Sequence, residues 1–423
     1  MLDPSLIERM DAYRVLLLWQ QEGAFIKESG LSPFAMELAL GVCRRHLYLQ
    51  YFVKTLVKKR PSLDVCTVLE MGLFQMFVMD VPDHAAVSTS VELAKAANLG
   101  EGSARLVNAV LHAARRSGPP ALPPQKVRRV SIENSVPEWL VRRWFDIYGA
   151  DRAEALAKST LERPSEWLRV NLQKVSAPAL AQKLGLTGAS ILYDRYIQVP
   201  EDVKLKPILE SQAFADGEFS LQNPAAFEVV KLLDLKPDLK VWDACAAPGG
   251  KSALMAEMEP TLDILASDVS DFRVEKMRDL VDRLGLTNVR LECVDALSFY
   301  LTSHISHHTP LSPEYDRILL DVPCSNMGVI ARRPESKYRI TSESVKELSE
   351  QQFKLLESAS RALKAGGILV YATCSPDPVE TTQVVNRFVK ACPEFEKVGE
   401  PVFPANVDSR FDGFFAQTLR RKG

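Results

Sequence analysis

The sequence predicts three parts: an all-α helical bundle over residues 1–125, linker helices with a small α+β module over 126–222, and a doubly wound, mostly parallel α/β domain over 223–423. Three observations carry this. Apolar residues recur at three- and four-residue spacing as far as Ser117. The run from Ser117 to Pro124 holds four prolines in eight residues, which no helix continues through. From about residue 223, short β-rich runs alternate with helical ones, the signature of βαβ units.

Composition narrows the class further. The 423 residues fit two or three domains at roughly 150 residues each. A hydrophobic fraction of 46% with 25% charged residues excludes disorder, collagen and coiled coil. Lys plus Arg number 52 against 54 Asp plus Glu, so bulk positive charge is not the route to any nucleic-acid partner, although local basic patches remain open. No apolar run approaches the ~20 residues that span a bilayer, and Val15 to Trp19 is too short for a signal-peptide core. The seven cysteines are scattered and contain no CxxC, which points away from disulfides and zinc and towards a reducing cytosol.

In the first part, helices are expected over Ala12 to Phe25, Leu47 to Val57, Val65 to Met79 and Val87 to Ala97, with Ser32 and Ser62 as N-caps. After the proline linker, Lys126, Arg128, Arg129, Arg142 and Arg143 outweigh Glu133 and Glu138. Trp139 and Trp144 lie among them, a pattern shared by solvated helix faces and nucleic-acid surfaces. Trp167 to Leu172 and Ile191 to Val199 read as β-runs around a helix at Ala177 to Leu184.

In the third part, strands are expected at Leu239 to Ala244, Leu262 to Ala266, Val289 to Val294, Arg317 to Leu320 and Gly367 to Thr373. The intervening helices run to Met258, over Phe272 to Leu284, over Glu343 to Leu363 and over Val379 to Val389. Gly413 to Leu419 is expected to add an antiparallel edge strand. Ligands of such sheets lie beyond the carboxyl ends of the strands.

The turn after the first of these strands, Asp243-Ala244-Cys245-Ala246-Ala247-Pro248-Gly249-Gly250-Lys251-Ser252, ends like a phosphate-binding GxxxxGK[ST] loop. Cys245 stands where the first glycine should be and Pro248 interrupts the run of N–H groups, so nucleotide hydrolysis is a weak reading. GxGxxG is absent as well. What remains is a tight glycine turn at a helix N-terminus, suited to a compact anion such as a carboxylate. Asp268, 17 residues after Lys251, stands where an acid takes ribose hydroxyls, and Asp295 can accept from an adenine amino group. A helix cap or loop acid explains either aspartate alone. Ribose, adenine and carboxylate together describe S-adenosylmethionine better than a nicotinamide dinucleotide.

Asp321-Val322-Pro323-Cys324-Ser325 follows the fourth strand and Thr373-Cys374-Ser375-Pro376 the fifth. Cys43, Cys66 and Cys293 read as small core hydrophobes. Two thiols and an acid at adjacent strand ends instead imply covalent catalysis. Methylation at C5 of a cytosine needs this set. That carbon becomes nucleophilic only after a thiolate adds at C6, a second group must help release the product, and Asp321 can hydrogen-bond the base. The residues alone leave open which cysteine attacks.

CAAPGGK at Cys245 to Lys251, DVPCS at Asp321 to Ser325 and TCS at Thr373 to Ser375 resemble the signatures of RNA cytosine C5-methyltransferases. Gln222 to Ala226 is similar to the family's motif ahead of the first strand. Leu69 to Gln75, Val87 to Lys95 and Val107 to Leu111 resemble a NusB-like RNA-binding domain, the pairing found in the Sun/Fmu/RsmB group. The resemblance implies a Rossmann-like methyltransferase domain, with Cys374 as nucleophile and Cys324 assisting release. It also implies that Cys245, Ala246, Ala247, Pro248, Gly249, Gly250, Lys251, Asp268, Asp295 and Asp321 hold S-adenosylmethionine. The implied substrate is small-subunit (16S) ribosomal RNA, unassembled or partly assembled, with no membrane and no metal. Asn326 and Asn223 stand where the family usually has Gly and Asp, and Ser90 and His112 replace an acid and an Arg.

Arg332 to Arg339, with four basic residues against Glu335, reads as a phosphate-contacting segment beside the active site, with an ordinary surface loop as the rival, and the tail Leu419 to Lys422 as its extension. His304, His307 and His308 lack the carboxylate or thiol neighbours of a metal site. The competing function is a non-catalytic RNA-binding assembly or antitermination factor on the same fold, with an NTPase third.

Overall fold

The computed structural model describes residues 3–26, 30–298, 315–403 and 411–423. His304, His307 and His308 lie outside them. Contacts divide the chain into two compact units, one of Met1–Arg163 with Ile330–Arg339, the other of Pro164–Val329 with Ile340–Gly423. No helix among the described residues is long and apolar enough to cross a membrane.

The first unit is helical: α1 (Pro4–Glu22), α2 (Pro33–Arg44), α3 (His46–Leu56), α4 (Leu63–Phe77), α5 (Asp83–Ala96), α6 (Glu101–Ser117), α7 (Lys126–Asn134), α8 (Glu138–Tyr148) and α9 (Ala150–Ser159). α4 is buried on every side from Val65 to Met76, as its nearly continuous apolar sequence requires, and α1, α2, α3, α5 and α6 pack around it. Ser32 caps α2 by accepting from the Ala35 N–H. Ser62 has the extended backbone of a cap, but its hydroxyl makes no capping bond. Trp144 is buried in this unit and is no stacking platform. Lys337 is buried too: its ammonium donates to the Arg44 carbonyl at 2.9 Å, and Arg44 donates to the Ala331 carbonyl at 3.0 Å. The expected phosphate-contacting segment is therefore partly a plug in a helical core, with Arg333 and Arg339 left exposed beside Phe25.

The second unit holds two sheets. The smaller is antiparallel, in the order β2 (Ile191–Leu192), β3 (Tyr196–Gln198), β1 (Trp167–Val170), β4 (Phe219–Leu221), and buries Leu168, Ile197 and Phe219 with Leu180 of the helix Ala177–Lys183. The larger uses β5 (Lys240–Asp243), β6 (Asp263–Asp268), β7 (Val289–Cys293), β8 (Tyr315–Asp321), β9 (Leu363–Thr373), β10 (Phe395–Val402) and β11 (Phe415–Arg421), ordered β10-β11-β9-β8-β5-β6-β7. β7 through β9 are parallel neighbours across the sheet, and β11 is antiparallel to both β9 and β10. Strand alternation sends Val241, Ile264 and Leu319 to one face and Trp242, Leu265 and Ile318 to the other, each covered by helices.

Two sheet expectations change. β11 is not an edge strand, because β10 pairs outside it. Cys293 is exposed on edge strand β7 rather than packed in a core, whereas Cys43 and Cys66 are buried as expected. Leu419 to Arg421 belong to β11, so the basic C-terminus is sheet as far as Arg421.

Candidate active site

β5, β6, β7, β8 and β9 run in one direction, so their carboxyl ends lie side by side. There the structure gathers the Cys245–Lys251 loop after β5, Asp268 at the end of β6, Asp295 just past β7, Asp321 at the end of β8 with Cys324 beyond it, and Cys374 after β9.

The glycine turn is shaped by internal bonds. The Ala246 N–H donates to the Ser267 carbonyl at 2.8 Å and the Gly249 N–H to the Ala246 carbonyl at 2.7 Å. Those two donors are spent inside the protein, which leaves the turn fewer N–H groups than a phosphate cradle would use. The Ala247–Pro248 peptide is cis. Gly249 sits at φ 93°, where a side chain would be strained and its Cβ would lie 3.2 Å from Met277 Cγ. The turn delivers the chain into the helix Gly250–Met258. Behind it, Arg169 of β1 donates to the Gly250 carbonyl at 2.6 Å, to Gln222 at 2.8 Å and to Glu257 at 2.7 Å, with both ion-pair side chains buried. The sequence motif at Gln222 to Ala226 thus has a structural task. Gln222 lies against Gly250, and the Asn223 amide oxygen accepts from the Ala225 and Asp412 N–H groups.

Charge at the strand ends is graded. Burial pushes the Asp243 carboxyl up to about 7, although Ser252 donates to it at 2.6 Å. Lys251 pairs with Asp321. Burial disfavours its charge, but the Asp321 carboxylate together with Asp243 and Cys374 outweighs that and holds the ammonium above its ordinary value. Burial, with Asp243 and Asp268 beside it, pushes the Cys245 thiol up, which disfavours its thiolate.

Three carboxylates here share a pattern. Asp268 takes the Ser270 N–H and Arg273 on one oxygen, Asp295 takes the Leu297 N–H on one, and Asp321 takes Lys251 on one. The second oxygen of each meets no donor among the described residues. Open carboxylate oxygens at three successive strand ends fit a ligand carrying ribose hydroxyls and an amino group, as S-adenosylmethionine does.

The two remaining loops meet at their sulfurs, with Cys324 Sγ 2.8 Å from Cys374 Sγ. The neighbouring Cys324 sulfur, followed by burial, pushes the Cys374 thiol well above its usual range. The Cys374 thiol also donates to the Asn326 amide oxygen at 3.1 Å. Gly328 donates to the Cys374 carbonyl at 2.8 Å and accepts from the Gly413 N–H at 2.9 Å. A Cβ on Gly328 would lie 2.2 Å from the Gly413 oxygen, so only glycine fits there.

Sequence reasoning singled out Asn326 only as a departure from the family pattern, and it missed Glu380, Ser325 and Ser375 as parts of the site. The one visible signal was a serine directly after each cysteine. It also gave no hint of a cavity of about 740 Å³ in the helical unit, whose lining includes Tyr51, Lys54, Lys58, Arg60 and Arg128. Among the described residues, no group of three or more His, Cys, Asp or Glu could hold a metal.

Comparison with known proteins agrees with this architecture. Residues 230–413 match the family described as 16S rRNA methyltransferase RsmB/F, residues 16–116 the NusB family, and residues 136–205 the ferredoxin-like domain of RsmF/B-like methyltransferases. Among solved structures, PH0851 superposes with a TM-score of 0.79 at 22% identity over 100% of both chains. NSun6 from Pyrococcus horikoshii with SFG superposes at 0.58 and 21% identity over 68% of this chain and 98% of its own. Both likenesses show that the chain shares its fold with these structures. A Bacillus subtilis protein named "Probable ribosomal RNA small subunit methyltransferase B" is 34% identical over 99% of this chain and 96% of its own. With that match spanning the helical, ferredoxin-like and methyltransferase parts, the chain belongs to the ribosomal RNA small subunit methyltransferase B family.

Proposed function

We propose that this methyltransferase modifies C5 of a cytosine in small-subunit (16S) ribosomal RNA through a covalent adduct between Cys374 and C6 of the base, acting in the cytoplasm on RNA that is unassembled or partly assembled. The observation that carries this reading is the pair of sulfurs, 2.8 Å apart, at the ends of adjacent strands beside Asp321.

Cys245 to Lys251, Asp268, Asp295 and Asp321 would hold S-adenosylmethionine, which supplies an electrophilic methyl group when bound. The protein's own work is then to activate C5. Cys374 loses its proton to solvent and its thiolate adds to C6, breaking the C5=C6 double bond and leaving C5 an enamine-like nucleophile. The Asp321 carboxylate, with one oxygen open, accepts from the base and favours its protonation at N3, and the protonated ring then withdraws electron density from C6. After C5 is methylated, its proton must leave so that the C6–S bond can break and expel Cys374. Cys324 is the group close enough to assist that step. The base reaches the strand ends by flipping out of its stem or loop. Exposed Lys54, Lys58, Arg60 and Arg128 on the helical unit give that RNA a cationic surface.

The test incubates Cys324→Ala and Cys374→Ala variants with S-adenosylmethionine and unmodified 16S ribosomal RNA on a denaturing gel. Cys324→Ala is expected to accumulate a slow-migrating protein–RNA adduct and Cys374→Ala to form none. If neither forms an adduct and the parent transfers no methyl group to C5, the reading fails in favour of a non-catalytic RNA-binding factor.

A further inference from the structure

We propose that Glu380 is the positioning residue that sets the spacing of the two thiols. The inference deepens the reading above and rests on it for its catalytic consequence.

Cys324 and Cys374 follow β8 and β9, which pair in parallel as far as Asp321 and Ala372. Neighbouring strands lie roughly 4.8 Å apart, and nothing in that register alone brings the chains beyond them into side-chain contact. Glu380, fully buried, does so. Its Oε1 accepts from the Ser325 N–H at 2.9 Å and from Gln352 Nε2 at 3.1 Å. Its Oε2 accepts from the Ser325 hydroxyl at 2.5 Å and from the Ser375 hydroxyl at 2.6 Å. Ser325 and Ser375 are the residues directly after the two cysteines. One carboxylate therefore grips both loops one residue beyond each sulfur.

The grip is itself anchored. Gln352 also donates to the Pro323 carbonyl at 3.0 Å, one residue before Cys324. The buried Tyr371 hydroxyl donates its proton to the Glu380 backbone carbonyl at 2.7 Å and lies 3.3 Å from the Gln352 amide oxygen. Four donors fill the acceptor capacity of the carboxylate, and no cation pairs with it among the described residues. A buried carboxylate compensated only by hydrogen bonds is costly to keep, and an apolar residue would serve packing better. Its geometry is useful because both oxygens are needed as acceptors. Gln at this position would keep one acceptor oxygen and turn its N–H₂ towards the two serine hydroxyls, which would have to reorient from donating to accepting.

The probe is phenylarsine oxide, which condenses with two adjacent thiols to give a cyclic dithioarsenite and one water. Its affinity reads sulfur spacing without RNA or methyl transfer, and Cys374→Ala gives the background. Glu380→Gln is expected to bind S-adenosylmethionine within about twofold of the parent and to lose on the order of tenfold in arsenical affinity, the worth of one charge-assisted hydrogen bond. Its kcat should fall by a similar factor with the KM for RNA unchanged. If Glu380→Gln fails to fold, Ser325→Ala/Ser375→Ala, which removes two donors and keeps the carboxylate, decides by the same readouts. Parental arsenical affinity in the folded variant would overturn the proposal. Lost arsenical affinity with undiminished kcat would overturn its catalytic part. Lost arsenical affinity in a protein whose parent transfers no methyl group would uphold the spacing role and sink the cytosine reading instead.

Discussion

The Cys374 thiol donates to the Asn326 amide oxygen across 3.1 Å, while the Asn326 amide nitrogen donates to the Cys324 carbonyl at 3.2 Å. One side chain thus touches both cysteine residues. It does so from a left-handed backbone at φ 61°, which Asn tolerates better than most residues and Gly adopts freely.

An acceptor facing a thiol stabilises its protonated form. Asn326→Gly keeps the backbone conformation and removes the acceptor, so the Cys374 thiolate should become easier to form. Alkylation of Cys374 by iodoacetamide at pH 8, followed by mass spectrometry of its peptide, should accelerate by about three- to tenfold, since the rate follows the thiolate fraction. An unchanged or slower rate would show that the amide does not hold the proton in the resting site.

Lys337 is fully buried in the helical unit, and burial together with the positive charges of Arg44 and Arg45 lowers its ammonium to about 7, against a partial offset from Cys43. The unfolded chain holds that proton up to about pH 10.5, so the folded state binds fewer protons between these values. Stability from this group is full above pH 10.5 and is lost as pH falls through 7. Lys337→Met removes the titration. Between pH 7 and 9 the parent should therefore gain on the variant by about 1–3 kcal/mol in urea unfolding. A stability gap that does not change with pH would mean that Lys337 keeps its proton in the folded protein.

The sheet was readable because its information is local. Each strand from Leu239 to Thr373 carries its own alternation or apolar run, and CAAPGGK, DVPCS and TCS are contiguous motifs at strand ends. β10 escaped because Phe395–Val402 is an exposed edge whose Glu and Lys residues hide the period, and its absence made β11 look like the edge. Lys337 and Trp144 were misread for the opposite reason. A basic run and a tryptophan look the same in sequence whether they face water or a helical core. Glu380 lies six residues beyond Cys374 in sequence, but its link to Ser325, the neighbour of Cys324, spans 55 residues and exists only once β8 and β9 pair. Contacts of that range leave no trace in a single sequence.

Arg169 and Glu257 carry the last prediction. They join the small antiparallel sheet to the helix that the glycine turn opens, at 2.7 Å and out of solvent on both sides. Arg195 adds a second, weaker approach to Glu257 at 4.0 Å. Burial raises the Glu257 carboxyl, and Arg169 pulls it back, so the pair persists because each charge compensates the other. Glu257→Ala would strand the Arg169 guanidinium without its carboxylate and should destabilise the chain by about 3–5 kcal/mol. Glu257→Gln keeps one hydrogen-bond acceptor and should cost less. Because the same guanidinium holds the Gly250 carbonyl at 2.6 Å, the damage should reach the cofactor loop. Titration of S-adenosylmethionine into Glu257→Gln at a temperature where it remains folded should show weakened binding. Parental affinity there would mean that the loop holds its shape through its own backbone bonds, and that the ion pair serves stability alone.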